Sequence, residues 1–207
     1  MIADLDPSHD CPLCPRLADF RNHHRQLSPD WYNAPVHRFG SLKARMVIIG
    51  LAPGLKGANR TGRPFTGDYA GVLLYETLIK FGFAQGTYHA DPKDGLELQD
   101  CMIVNAVRCV PPENKPTPAE IKQCRPYLLN TLQAMPNLQH ILVLGRIAHE
   151  TIVRAFDLPL KSFPFAHGAV HKGPSWMLHD SYHCSRYNTQ TGVLTQDMFE
   201  MVVARLR

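Results

Sequence analysis

A glycine-rich polar segment, residues 50–68, holds the densest group of residues able to contact a ligand. It follows an apolar run at 46–49 and contains five glycines, three basic residues and a terminal aspartate, Asp68. Glycine lets the backbone approach a ligand closely, and open α/β folds place their sites in loops at the carboxyl ends of strands. Connections of this length are uncommon unless they have a function. The segment therefore predicts a binding site.

Two further polar clusters follow predicted strands. Residues 181–192 contain His183, which can donate to a developing oxyanion, together with hydroxyl and basic side chains suited to phosphate. A lone histidine is more often structural than catalytic, but its polar neighbours favour a functional role. The third cluster contains Asn105, whose amide offers a donor and an acceptor to a nucleobase edge. Because the carboxyl ends of parallel strands meet at one edge of a sheet, the three clusters are expected to converge.

Four of the six cysteines are spaced so that they can bind a metal centre. Cys11 and Cys14 form a C-x-x-C pair, and Cys109 and Cys124 flank a proline-rich loop. Four thiolates suit zinc and an iron–sulfur cluster equally by number, so the spacing leaves both open. A redox C-x-x-C motif belongs near a βαβ pattern, which does not precede this pair. A disulfide framework is not expected, because no secretory signal is apparent.

The elements that must position these clusters alternate between strand and helix patterns. The predicted strands cover residues 45–49, 102–107, 140–144 and 176–182. Apolar residues recur at helical spacing over residues 72–81, 121–135, 146–156 and 195–206. Thr117, Pro118 and Glu120 predict a capping box at the start of the second helix. The alternation predicts an α/β fold with a mostly parallel sheet covered on both faces, while residues 1–40 are expected to wrap the core.

Length and composition narrow the class of protein. A chain of 207 residues with 44% hydrophobic residues is expected to form one domain spanning residues 1–207. No apolar run of about 18 residues indicates a transmembrane helix. The net charge of +4 mildly favours a polyanionic partner. We expect a monomer with no membrane association, located in the cytoplasm and, in a prokaryote, at the nucleoid.

Taken together, the motifs resemble those of family 5 uracil-DNA glycosylases, the B-type enzymes, which are close to the family 4 iron–sulfur enzymes. The resemblance runs from Cys11 to about Leu194. It rests on four segments in order: Gly50-Leu-Ala-Pro, residues 59–68, residues 105–118 and His183-x-Ser-x-x-Asn188. It implies a three-layer α/β/α sandwich with a central, mostly parallel four-stranded sheet.

The resemblance also implies an activity. Such an enzyme hydrolyses the N-glycosidic bond of uracil in DNA, and of other deaminated bases such as hypoxanthine, and leaves an abasic site for base excision repair. The target nucleotide must leave the base stack, because the glycosidic carbon is out of reach inside a duplex. Cleavage builds positive charge on the sugar and negative charge on the base, so an anion and a hydrogen-bond donor are needed. No lysine is placed for Schiff-base chemistry, which favours a monofunctional enzyme.

Roles for individual residues follow from the resemblance. The implied catalytic residues are Asp68 near the sugar, His183 as donor to the base, and Asn105. The implied base-binding residues are Phe65, Ala52 and Asn105. The implied DNA-binding residues are Arg60, Arg63, Ser185, Arg186, Tyr187 and Asn188. A structural [4Fe–4S] cluster is implied at Cys11, Cys14, Cys109 and Cys124.

Alternative functions are weaker but remain in view. Residues 51–54 carry no polar side chain, whereas most uracil glycosylases have an acid or amide there, so Asp68 must substitute from further along the loop. A nucleotide phosphate loop at residues 50–57 fails the G-x-x-x-x-G-K-[ST] pattern. The remaining alternative is a noncatalytic nucleic-acid-binding module with a zinc site formed by the four cysteines.

Overall fold

The structure is a computed structural model and describes residues 4–207. Within these residues the α-helices are α1 (Pro15–Leu27), α2 (Ala58–Thr61), α3 (Tyr69–Lys80), α4 (Pro118–Gln133), α5 (Arg146–Ala155), α6 (Arg186–Gln190) and α7 (Gln196–Ala204). The strands are β1 (Phe39–Gly40), β2 (Met46–Gly50), β3 (Ala84–Gln85), β4 (Glu97–Leu98), β5 (Cys101–Asn105), β6 (His140–Leu144), β7 (Val170–Lys172) and β8 (Met177–Ser181). The predicted single domain, 1–207, extends over residues 1–3, which lie outside the described part, and stays a prediction.

The main sheet has the strand order β1-β5-β2-β6-β8-β7. Its four central strands, β5, β2, β6 and β8, are parallel, as the sequence predicts. The short strands β1 and β7 add antiparallel edges, so the sheet has six strands rather than four. Two or three residues are too few to show an alternating pattern, which is why the sequence does not reveal these edges.

Alternate residues of the central strands point to opposite faces of the sheet and belong to two separate cores. Helices cover both cores, so the fold has three layers. In β2, Ile48 belongs to the core under α3 and α7, whereas Val47 and Ile49 belong to the core under α4 and α5. All three side chains are fully buried. Strands that are buried on both faces are typical of parallel sheets between helical layers. The predicted α/β/α sandwich is therefore confirmed.

The predicted central elements agree with the structure to within a few residues. The capping box is present: the Thr117 hydroxyl accepts from the Glu120 N–H, and the Glu120 carboxylate accepts from the Thr117 N–H. Helix α1 was not predicted, because it buries only Leu17 and Arg21 and so shows no clear apolar period. The β3–β4 hairpin was also not predicted. No helix within residues 4–207 has the length and apolar character needed to pass through a bilayer.

Candidate active site

A cleft of about 560 Å³ opens where β2, β5 and β8 end. This volume lies in the range of sites that take small organic groups. The three polar clusters, distant in sequence, converge on it because neighbouring parallel strands end at the same edge. Seven of the residues assigned roles from the sequence line the cleft: Ala52, Phe65, Asp68, Asn105, His183, Ser185 and Arg186.

Gly50 at the end of β2 lets two of these side chains come together. A Cβ atom at Gly50 would lie 2.5 Å from Asn105 Oδ1 and 2.6 Å from Phe65 Cζ, so a larger residue does not fit. The Phe65 ring centroid lies 6.0 Å from that of His183, with the ring planes inclined at 32°. Asn105 is buried, and its Oδ1 has no hydrogen-bond partner among the described residues. A buried acceptor without a partner is costly unless a ligand satisfies it.

Asp68 is held at the start of α3 by the backbone around it. Its carboxylate caps the helix and accepts from the Gly71 N–H at 3.3 Å. A Cβ atom at Gly57 would lie 2.4 Å from Asp68 Oδ2, so the carboxylate packs directly on that glycine. Burial raises the pKa of Asp68, and the N–H groups of Gly71 and Ala70 oppose this change. The carboxylate is thus partly desolvated, which strengthens its effect on nearby charge.

His183 presents a neutral imidazole to the cleft. Burial lowers its pKa to about 4, so the ring is uncharged at neutral pH and can still donate through one N–H. The amide of Asn188 donates to the His183 carbonyl at 2.8 Å. The Ser185 hydroxyl accepts from the Asn188 N–H and caps α6. The resemblance assigns Asn188 to DNA binding, but in the structure its side-chain amide stabilises the backbone at His183.

The rim of the cleft carries cationic and aromatic side chains. The Arg186 guanidinium lies 5.2 Å from the centre of the Tyr69 ring, and Lys56, which also lines the cleft, is exposed. Tyr187 is 73% exposed on α6 and does not line the cleft. Sequence reasoning did not single out Tyr69 or Asn114, two further lining residues. Asn114 lies in the proline-rich segment 111–118, and this segment is the sequence signal that could have identified it.

Arg63 lies away from the cleft. Its guanidinium is buried and forms two 2.8 Å hydrogen bonds with the Asp94 carboxylate, so the structure does not support its predicted contact with DNA. Arg60 is exposed, but it donates to the Lys56 carbonyl and borders a separate shallow groove beside Trp31. Neither arginine lines the cleft.

The four predicted metal-binding cysteines line one small apolar cavity between α1, α4 and the segment after β5. The Arg108 N–H points at Cys124 Sγ, 3.4 Å away, and the Arg21 guanidinium points at Cys109 Sγ, 3.6 Å away. Among the described residues, no three of these sulfur atoms are close enough together to share one ion. Apolar walls and N–H donors aimed at sulfur are compatible with a larger inorganic group.

Another group of side chains, His149, His171 and Asp180, does lie within the reach of one metal ion. However, Asp180 is 2.7 Å from His149 Nδ1 and 3.3 Å from His171 Nε2, which are hydrogen-bond distances. His149 Nε2 also faces the Phe163 carbonyl at 2.8 Å, so each ring nitrogen lies within hydrogen-bond distance of an oxygen atom. Burial acts to lower the pKa of His149, but the hydrogen bond with Asp180 outweighs burial and raises it. The group is a proton-linked network that fastens β8 to α5.

Comparison with known proteins agrees with the motifs and the fold. The model of the uracil DNA glycosylase superfamily matches residues 37–207. A type-5 uracil-DNA glycosylase of Thermus thermophilus is 44% identical over 91% of this chain and 89% of its own length. One from Pyrobaculum aerophilum is 34% identical over 95% of this chain and 87% of its own. A type-4 uracil-DNA glycosylase of Archaeoglobus fulgidus is 36% identical over 66% of this chain and 61% of its own. With motifs, sheet and cleft in agreement, the chain belongs to the type-5 branch of the uracil-DNA glycosylase superfamily.

Proposed function

We propose that this protein is a monofunctional glycosylase that removes uracil from DNA and leaves an abasic site. The observation that carries the proposal is the combination of the Phe65 ring, the unpartnered Asn105 Oδ1 and the Asp68 carboxylate in one cleft. This combination offers a stacking surface, an acceptor for a base N–H and an anion. These are the groups that excision of a flipped base requires.

Recognition of the base follows from the first two groups. A flipped base stacks on the Phe65 ring, since single extruded bases need an aromatic surface. Its edge meets Asn105, whose Oδ1 then accepts the hydrogen bond that it lacks among the described residues. Ala52 adds an apolar surface to the same cleft.

Cleavage follows from the Asp68 carboxylate and the His183 ring. As the glycosidic bond breaks, the sugar gains positive charge, which the Asp68 carboxylate stabilises, or the same carboxylate orients the attacking water. The leaving base gains negative charge, which the N–H of neutral His183 stabilises. Ser185, Arg186 and exposed Lys56 all line the cleft, which supports a role for them in contacting the phosphates that flank the extruded nucleotide.

We extend the proposal to other deaminated bases such as hypoxanthine. Residues 51–54 contribute only apolar side chains and glycine to the cleft, so this wall has no side-chain polar group to reject a purine. The cleft also has room for the larger ring. A role in base excision repair follows from the abasic product. A monomeric state and a cytoplasmic, nucleoid-associated location stay predictions from the sequence.

We further propose that Cys11, Cys14, Cys109 and Cys124 hold a structural [4Fe–4S] cluster. The four sulfur atoms line one apolar cavity, and N–H groups of Arg108 and Arg21 point at two of them, which supports a group bound by thiolates. When bound, the cluster would supply cross-links between α1 and the segment that follows Asn105. The reaction needs no electron transfer, so its contribution is to stability.

Glycosylase activity is tested with purified protein and oligonucleotides that contain uracil, hypoxanthine or an undamaged base. Alkali then breaks the strand at abasic sites. We expect cleavage at uracil, slower or comparable cleavage at hypoxanthine, and none in the undamaged control. Strand breakage without alkali would contradict the monofunctional assignment, and no cleavage at uracil would contradict the function. Zinc instead of iron in the protein would favour the noncatalytic alternative.

The pH dependence of the reaction should lack an ordinary histidine titration. Because burial lowers the pKa of His183 to about 4, the ring stays neutral above about pH 5. Burial raises the pKa of Asp68, so its carboxylate is lost in the acid range as pH falls. We expect the single-turnover rate to show no histidine inflection near pH 6.5 and to decline in the acid range, as Asp68 loses its charge and His183 gains a proton. An inflection near pH 6.5 that vanishes in His183→Ala would contradict this.

A further inference from the structure

We propose that Tyr88, anchored through the Arg63–Asp94 ion pair, is a positioning residue that sets the orientation of the Phe65 ring. The inference rests on the proposed function, in which Phe65 stacks on the flipped base. Tyr88 itself does not line the cleft. It lies in the segment between β3 and β4, outside every motif that marks the family in this sequence.

Phe65 has a backbone conformation that needs support. Its φ is +53°, in the left-handed region that residues with a side chain rarely adopt. Strained residues of this kind persist only where their surroundings determine them fully, and they cluster at functional sites. Gly71 of α3 contributes by leaving space, since a Cβ atom there would lie 1.8 Å from the Phe65 carbonyl oxygen.

Two tyrosine hydroxyls fix the peptide groups on either side of Phe65. Tyr88 Oη donates to the Phe65 carbonyl at 3.1 Å and accepts from the Gly67 N–H at 3.4 Å. Tyr75 Oη donates to the preceding carbonyl, that of Pro64, at 2.6 Å. Rotation of the Phe65 backbone toward an ordinary conformation would break the bridge made by Tyr88. The bridge therefore opposes relaxation of the strained turn.

The ion pair holds Tyr88 in place. The Tyr88 ring stacks on Tyr75, with centroids 4.7 Å apart and planes inclined at 27°. The Arg63 guanidinium lies 5.4 Å from the Tyr75 ring centre and 5.9 Å from that of Tyr88. The Asp94 carboxylate, on a buried side chain, accepts from Arg63 and from two backbone N–H groups of its own loop. The hydrogen bonds from Arg63 lower the pKa of Asp94 strongly, and the N–H groups of His89 and Leu96 add to this effect, so the pair stays ionised. The loop that carries Tyr88 is thus tied to the segment that carries Phe65.

The test removes one oxygen atom. Tyr88→Phe keeps the stacking on Tyr75 but loses the bridge between the Phe65 carbonyl and the Gly67 N–H. We expect the single-turnover rate on uracil in DNA to fall about tenfold, with DNA affinity nearly unchanged, because small misplacement of a contact group costs rate. Tyr32→Phe is the matched control. Its hydroxyl also donates to a backbone carbonyl, that of Pro35, and its loss should not change the rate.

A double-mutant cycle distinguishes positioning from general stability. If Tyr88 acts through Phe65, Tyr88→Phe should reduce the rate little further in a Phe65→Ala background. An equal loss in both backgrounds, or a parental rate for Tyr88→Phe alone, would overturn the proposal. A crystal structure of Tyr88→Phe gives a readout independent of activity, since φ of Phe65 should change. If wild-type protein fails to cleave uracil, the proposed function fails, and this structure still decides the positioning role.

Discussion

Asp68→Asn should lower the single-turnover rate of uracil excision by at least about 100-fold, while binding of uracil-containing DNA stays close to wild type. The carboxylate lies in the cleft, is partly desolvated and packs on the Gly57 backbone. A charge that acts mainly in the transition state contributes to rate rather than to binding, and one such group is worth about 100-fold or more. Single-turnover kinetics together with a binding titration on a noncleavable substrate analogue measure the two effects separately.

The substitution should leave the fold intact, because asparagine caps helices about as well as aspartate. Asp19→Asn, on the exposed face of α1, is the matched control and should keep the parental rate. Gly57→Ala provides a second approach, since its Cβ atom would displace the carboxylate without removing its charge. Parental rates for both Asp68→Asn and Gly57→Ala would show that catalysis rests on His183 and Asn105 instead.

Cys109→Ser should remove iron and lower Tm by about 10 °C or more. The cysteine cavity joins α1 to α4 and to the segment after β5, so loss of a cluster there removes cross-links between parts of the chain distant in sequence. For a chain of this size, about 2–4 °C of Tm corresponds to 1 kcal/mol, and a structural metal group contributes several kcal/mol. Iron analysis and visible absorbance measure the loss of the cluster, and thermal melting measures the change in Tm.

Cys101→Ala is the control for this substitution. Cys101 is also buried, at the start of β5, but lies in a different core. We expect the Cys101→Ala variant to be less stable, because a buried side chain is truncated, and to keep its full iron content. Iron that is unchanged in Cys109→Ser would refute the assignment of this cysteine. Zinc in the parent protein would refute the cluster and leave the cavity as a different kind of metal site.

Features that depend on neighbouring residues could be predicted from the sequence. The run 140–144 is a strand at those bounds, and the capping box at Thr117 begins α4 as expected. The glycine-rich segment 50–68 lies at the end of β2 and supplies much of the cleft wall. These signals are local, because apolar period, capping and glycine content act over a few residues. The predicted catalytic roles of His183 and Asp68 likewise rest on short sequence motifs.

Only the tertiary structure decided how distant residues pair. Arg63 has the sequence context of a phosphate-binding arginine, yet it meets Asp94 because the segment between β3 and β4 folds back over the loop. Asn188 matches a motif, but its amide is bound to the His183 carbonyl. Tyr88 has no sequence signal at all, and its contact with Phe65 exists only in the folded chain. Partners separated along the chain leave no periodic pattern, so whether a polar side chain faces a ligand or a buried partner depends on packing.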